Sequence, residues 1–196
     1  ADGAFEIPDG EWVQGKDSVE SPNGMDTVVL PDTLTTIGAS AFWNNVFVED
    51  VILPESLERL GGDCFYYCKN LKKVNIPKKV WIMGNNPFAG CPKLQITNES
   101  PNFILENGVL YDKDKTNLIH YTISNPQTEF IVPGGVMCLG KHCFYACNNL
   151  QKIVIPESVI RFENNPFSGC EHLSLESHTP HYVIENGVIY NKFKTT

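Results

Sequence analysis

Phe65-Tyr66-Tyr67-Cys68, followed by Asn70-Leu71-Lys72-Lys73-Val74-Asn75-Ile76-Pro77, decides how this chain folds, because each part recurs at a fixed distance. Phe-x-x-Cys returns at Phe88-Ala89-Gly90-Cys91, Phe144-Tyr145-Ala146-Cys147 and Phe167-Ser168-Gly169-Cys170. The step is 23 residues within each pair (65 to 88, 144 to 167) and 79 between pairs (65 to 144, 88 to 167). A short fixed period is the signature of a stacked solenoid, in which each turn buries its apolar face only against its neighbours.

The prolines confirm the period. Pro31, Pro54 and Pro77 step by 23, as do Pro133 and Pro156. Each closes a short, partly β-branched run: Val28-Val29-Leu30, Val51-Ile52-Leu53, Val74-Asn75-Ile76, Phe130-Ile131-Val132 and Ile153-Val154-Ile155. Such runs predict strands, ended by a residue with no N–H to donate. An aliphatic pair follows, as in Leu34-Thr35-Thr36-Ile37 and Leu57-Glu58-Arg59-Leu60, and then the phenylalanine. Asn70-Leu71-Lys72-Lys73-Val74-Asn75-Ile76 and Asn149-Leu150-Gln151-Lys152-Ile153-Val154-Ile155 carry leucine-rich repeat spacing.

Across residues 27–196 this pattern resembles the BspA-like leucine-rich repeat proteins. The Ile-Pro step and the Phe-x-x-Cys step carry the resemblance. It implies a leucine-rich repeat solenoid with a curved parallel β-sheet of 23-residue turns. It also implies a mostly irregular or short-helical convex side and inserted β-meander hairpins. The family is typical of secreted and surface proteins, so a secreted or cell-surface location is implied too.

The rhythm breaks once. Pro77 and Pro133 lie 56 residues apart, one period plus 33. The added segment contains Glu106-Asn107-Gly108-Val109, and Asn-Gly between apolar runs is a strong hairpin signal. With a second turn over Asp112–Asn117, residues near 101–125 predict a three-stranded meander emerging from the solenoid. The pattern recurs near 180–196, with Asn186-Gly187 79 residues after Asn107-Gly108. The second meander stops before its third strand, so the sequence reads as an excised piece or as ending in an incomplete hairpin.

Residues 1–26 read as an atypical capping segment anchored by Trp12, and 27–196 as one repeat domain. Two incompatible alignments stay open at the start. Phe5-Glu6-Ile7-Pro8 matches the strand before Pro31, and Asp2-Gly3-Ala4-Phe5 matches the step to Phe42.

Composition narrows function. The 196 residues are 42% hydrophobic, enough for a continuous repeat core, with 15 Lys and Arg against 23 Asp and Glu. A net charge of −8 without a basic cluster argues against nucleic acid and anionic membranes as partners. No apolar run is long enough to span a bilayer.

Seven cysteines raise disulfide and zinc chemistry. Cys68, Cys91, Cys147 and Cys170 share one repeat slot, which Asn45 fills in an earlier turn. A slot that takes Asn or Cys reads as a buried ladder of reduced thiols bonded to neighbouring backbone. Adjacent strands are also close enough for a ladder disulfide. Cys138, whose counterpart 79 positions earlier is Arg59, reads as a candidate exposed thiol. Cys170, His172, His178 and His181 form a weak zinc pattern without finger spacing. Asp112-Lys113-Asp114 lacks the rest of a calcium loop, and Asn98-Glu99-Ser100 is a glycosylation sequon. No catalytic, phosphate-binding or cofactor motif is present. Lys141-His142-Cys143 places base and thiol adjacent in sequence only. Neither an enzyme nor a cofactor is expected.

What remains is surface. Alternation along a strand turns the middle residue of each run outward. That row reads Val29, Ile52, Asn75, Ile131 and Val154, flanked by Thr27, Asp50, Lys73, Glu129 and Lys152. A contiguous aliphatic stripe marks a candidate interaction face. The expectation is an adhesin-like module binding a protein or glycan. A structural spacer is the alternative, as is a carbohydrate-binding accessory module using Trp43, Trp81, Tyr66, Tyr67 and Tyr145.

Overall fold

Each turn of the chain holds two short strands, one before and one after its proline. A computed structural model describes residues 5–7, 27–185 and 188–193. The strands are β1 (Phe5–Ile7), β2 (Thr27–Val29), β3 (Leu34–Ile37), β4 (Asp50–Ile52), β5 (Arg59–Leu60), β6 (Lys73–Ile76), β7 (Ile82–Met83) and β8 (Gln95–Asn98). A meander follows: β9 (Phe103–Glu106), β10 (Val109–Asp112) and β11 (Asn117–Tyr121). Then come β12 (Glu129–Ile131), β13 (Cys138–Leu139), β14 (Lys152–Ile155), β15 (Arg161–Phe162) and β16 (Ser174–Ser177), and a final hairpin, β17 (Tyr182–Glu185) and β18 (Val188–Asn191).

The strands before the prolines stack as two parallel sheets, β2-β4-β6-β8 and β12-β14-β16. The strands after the prolines form a second set, β1-β3-β5-β7 and β15-β13-β11-β10-β9. The first set buries alternate residues: Val74 and Ile76 in β6, Ile153 and Ile155 in β14. The second set buries Leu34, Ile37, Leu57 and Leu60 from the opposite wall. Between the walls runs a column of rings. Phe42 stacks on Phe65 at 4.9 Å, Phe65 on Phe88 at 6.0 Å, and Phe144 on Phe167 at 5.5 Å.

Among the described residues there is no helix; the side expected to be irregular or short-helical is built of turns. The reason is local. The second residue after each ring is left-handed: Asn44, Tyr67, Gly90, Ala146 and Gly169 have φ of 58°, 62°, 79°, 53° and 76°. One left-handed residue per turn stops a helix from propagating.

Two expectations change. The meander does not emerge from the solenoid, because its last strand belongs to it. β11 runs antiparallel to β10 and parallel to β13. Tyr121, 23 residues before Phe144, takes the ring slot of the column. Its N–H donates to Cys143 O at 2.7 Å, as Phe42 N–H does to Cys64 O. At the start, β1 lies beside β3, with Ile7 opposite Ile37. Ile7 therefore holds a slot after a proline, and neither starting alignment holds. Trp12 and the rest of the expected cap lie outside the described residues, as does the Asn186-Gly187 turn.

Candidate interaction face

The outward row is exposed but not contiguous. Val29, Ile52 and Ile131 are 55%, 56% and 66% exposed, and Asn75 and Val154 are half-buried. Val29 pairs in register with Ile52, and Ile131 with Val154, across neighbouring parallel strands. The pairs sit in different sheets, which are not hydrogen-bonded to each other. Each is followed by polar residues, Asn75 and Thr97 in one sheet and Glu176 in the other. The expected stripe is thus two separate aliphatic patches, because the 33-residue insertion takes the place of a continuing sheet.

The flanking charges are largely paired within the face. Asp50 lies opposite Lys73, and Glu129 opposite Lys152. The Lys152 ammonium sits 2.7 Å from Glu176 and 3.5 Å from Glu129. The hydrogen bond from Lys152, then that from His178, holds the Glu176 carboxyl below the usual range. Lys72 does the same for Glu49. Asn75 donates to Glu99 and accepts from Thr97, both at 2.8 Å.

Trp43 and Trp81 are exposed, and Tyr66, Tyr67 and Tyr145 are half-buried. Trp43, Tyr66 and Tyr67 stack on one another at 6.0–6.3 Å, and Tyr145 meets Tyr66 edge-on at 5.5 Å. The faces of Tyr66 are thereby engaged by its neighbours. A pyranose ring packs against an open aromatic face, so this cluster makes a poor sugar platform.

Inside, the shared slot forms a hydrogen-bonded column. The thiols of Cys68, Cys91, Cys147 and Cys170 donate to the carbonyls of Phe42, Phe65, Tyr121 and Phe144, each 26 residues back, at 3.0–3.7 Å. Asn45 instead accepts from the N–H groups of Phe47 and Val48 in its own turn. All seven cysteines are free. Burial pushes the Cys68 thiol up to about 12. Cys138, expected at the surface, is buried at 6% exposure, and Arg161 one turn on reaches its sulfur at 3.3 Å.

The remaining candidates carry other roles. Cys143 is fully buried, and burial holds its thiol well above the usual range, so His142 beside it in sequence activates nothing. Asp112 accepts from the N–H groups of Thr116 and Asn117 and from the Thr116 hydroxyl, closing its own turn. His178 pairs with Glu176. Cys170, His172, His178 and His181 are not gathered into a metal-binding group; among the described residues no group of three or more His, Cys, Asp or Glu side chains is so arranged. The Asn98 amide caps its loop, donating to Ser100 O and Phe103 O and accepting from Ser100 N–H.

One polar cluster had no signal in the repeat. Asn86 accepts from or donates to the buried His120 ring at 2.9 Å and donates to His142 O at 2.7 Å. Lys141 pairs with Asp63 at 2.6 Å. Burial alone drives the His120 imidazole down to about 3. These groups lock the first block of turns to the second. Asn86 belongs to Asn85-Asn86-Pro87-Phe88, which recurs as Asn164-Asn165-Pro166-Phe167, where Asn165 is exposed.

Among the described residues no helix is long and apolar enough to cross a membrane. Comparison with solved structures places the fold among bacterial leucine-rich repeat proteins. A leucine-rich cell surface protein of Faecalibacterium prausnitzii superposes with a TM-score of 0.68 at 28% identity, covering 79% of this chain and 41% of that one. A leucine-rich repeat protein of Eubacterium ventriosum gives 0.60 at 21%, covering 80% and 55%. The pneumococcal vaccine antigen PcpA gives 0.62 at 19%, covering 87% and 55%. The chain therefore spans about half the length of these structures or less. No curated protein matches the sequence. A family model for the BspA type leucine rich repeat region matches six copies over residues 16–117 and 119–193, so the chain belongs to the BspA-type leucine-rich repeat family.

Proposed function

We propose that this chain is an adhesin-like interaction module of a secreted or cell-surface bacterial protein. On this reading it binds a protein through the outward faces of the sheets that precede the prolines. Repeat scaffolds of this family act as binding surfaces, and one matched structure is described as a cell surface protein. The observation that carries the reading is the pair of exposed aliphatic patches, Val29 with Ile52 and Ile131 with Val154. Each lies among charges that already have partners. Such a patch is desolvated at little polar cost and leaves a polar rim. The stacked tyrosines disfavour a glycan as the main ligand.

The test is a binding screen of labelled protein against matrix proteins, mucins and glycans. Ile52→Asp and Ile131→Asp are run separately, because the two residues sit in different sheets. A hit weakened at least about tenfold by one substitution, with an unchanged melting temperature, supports the reading and says which patch is used. A hit that neither substitution moves removes both patches from the interface. A blank across the panel favours a rigid spacer.

A further inference from the structure

The cavity at the last described turn has an occupied twin within the same molecule. It measures about 310 Å³ and is lined by Phe167, Cys170, Leu173, Leu175, Ile184 and Ile189. Stepping back 79 residues gives Phe88, Cys91, Leu94, Ile96, Leu105 and Leu110, the same chemistry at every position but one aliphatic exchange. In this first copy Phe88, Cys91, Leu94 and Leu110 are at most 1% exposed. In the second copy all six residues are half-exposed.

The difference is one strand. In the first copy β11 lies along β10, and Ile119, itself 6% exposed, joins the core cluster of Phe88, Cys91, Leu94 and Leu110. β10 therefore has strands on both sides, whereas the hairpin β17–β18 has no third strand among the described residues. The groove consequently has an apolar floor and a strand beside it whose counterpart in the first copy is paired on both edges. An aliphatic tail or a sugar meets only the first requirement. An extended peptide meets both, by β-strand addition.

We infer that this groove accepts an extended strand from a partner polypeptide carrying the β11 pattern, with aliphatic residues where Leu118 and Ile119 stand and a ring where Tyr121 stands. A second copy of this chain is a poor donor, because its own Leu118, Ile119 and Tyr121 are buried. This inference does not depend on the sheet-face reading, since the groove lies at the end of the stack.

The probe is a fluorescent peptide of residues 115–124, titrated into the chain and followed by amide hydrogen exchange. The expected result is saturable one-to-one binding with slowed exchange in β17 and β18. A peptide carrying Ile119→Asp should bind at least about tenfold more weakly, and that comparison leaves the folded protein untouched. Four results overturn the inference. These are no saturable binding, equal binding of the Asp peptide, protection of β10 in place of β18, and end-to-end dimers that exclude the peptide.

Discussion

The two copies of the 79-residue unit share their residues at the ring, thiol and proline positions, yet they are buried to different degrees. Phe88 and Cys91 are sealed, and Phe167 and Cys170 are half-open. Asn86 is a buried link between blocks, and Asn165 faces solvent. The lesson concerns where stability resides in a stacked chain. A turn buries only what its neighbour covers, so identical residues differ in worth according to position in the stack.

Three measurements sharpen the contrast. The largest effect is expected from the rings. Phe88→Ala should cost about 3–5 kcal/mol, as for a fully buried aromatic, and Phe167→Ala roughly half as much. Chemical denaturation of the two variants checks this; equal costs would mean that the last turn is covered as well as the first.

The second effect concerns the junction, which the second copy lacks. His120 titrates at about 3 in the fold because of burial, and burial together with the charge of Lys141 also lowers His142. A free imidazole titrates near 6.5, so below that value the unfolded chain takes up protons that the folded chain refuses. Stability is therefore full above about pH 6.5 and falls as the pH drops toward 3. The slope is up to about 1.4 kcal/mol per pH unit for each histidine. Between pH 6.5 and 5 the carboxylates contribute little. A flat melting temperature in that window would show that the junction is open to solvent.

The smallest effect concerns the left-handed slot, where Tyr67 and Ala146 stand 79 residues apart. Ala146→Gly should relieve about 1 kcal/mol of backbone strain and raise the melting temperature by roughly 2–4 °C. Tyr67→Gly should gain less, because that ring stacks on Tyr66 and carries the Lys69 ammonium at 4.3 Å. Equal gains would mean that those contacts contribute nothing.

Much of this was legible in the sequence, for a physical reason. A repeat imposes one environment on every residue of a slot, so the prolines and phenylalanines announce strand ends and core at once. Legibility failed where the stack changes neighbours. Leu118 and Tyr121 looked like the end of a meander, because a strand can pair antiparallel on one edge and parallel on the other, and periodicity cannot display that. Cys138 looked exposed because its counterpart 79 positions earlier is Arg59, yet the side chain that covers it is Arg161, 23 positions later. The outward row looked continuous because a list of residues omits the insertion that separates two sheets. Asn86 and Asn165 sit in the same four-residue string, so nothing local could tell the buried one from the exposed one.

The strands of each turn are hydrogen-bonded to those of the next along the stacking direction, with a thiol bridging most steps of the ring column. Tension applied through the chain ends therefore loads these bonds one turn at a time, as in opening a zipper, and never all together. Each 23-residue turn that lets go adds roughly 75–80 Å of slack. The molecule can lengthen severalfold under a pull that leaves its interior turns intact. The cross-links that resist this are at the junction, where Asp63 holds Lys141 and Asn86 holds His142 across the insertion. A module on a surface swept by flow would peel from its ends and stop at that clasp.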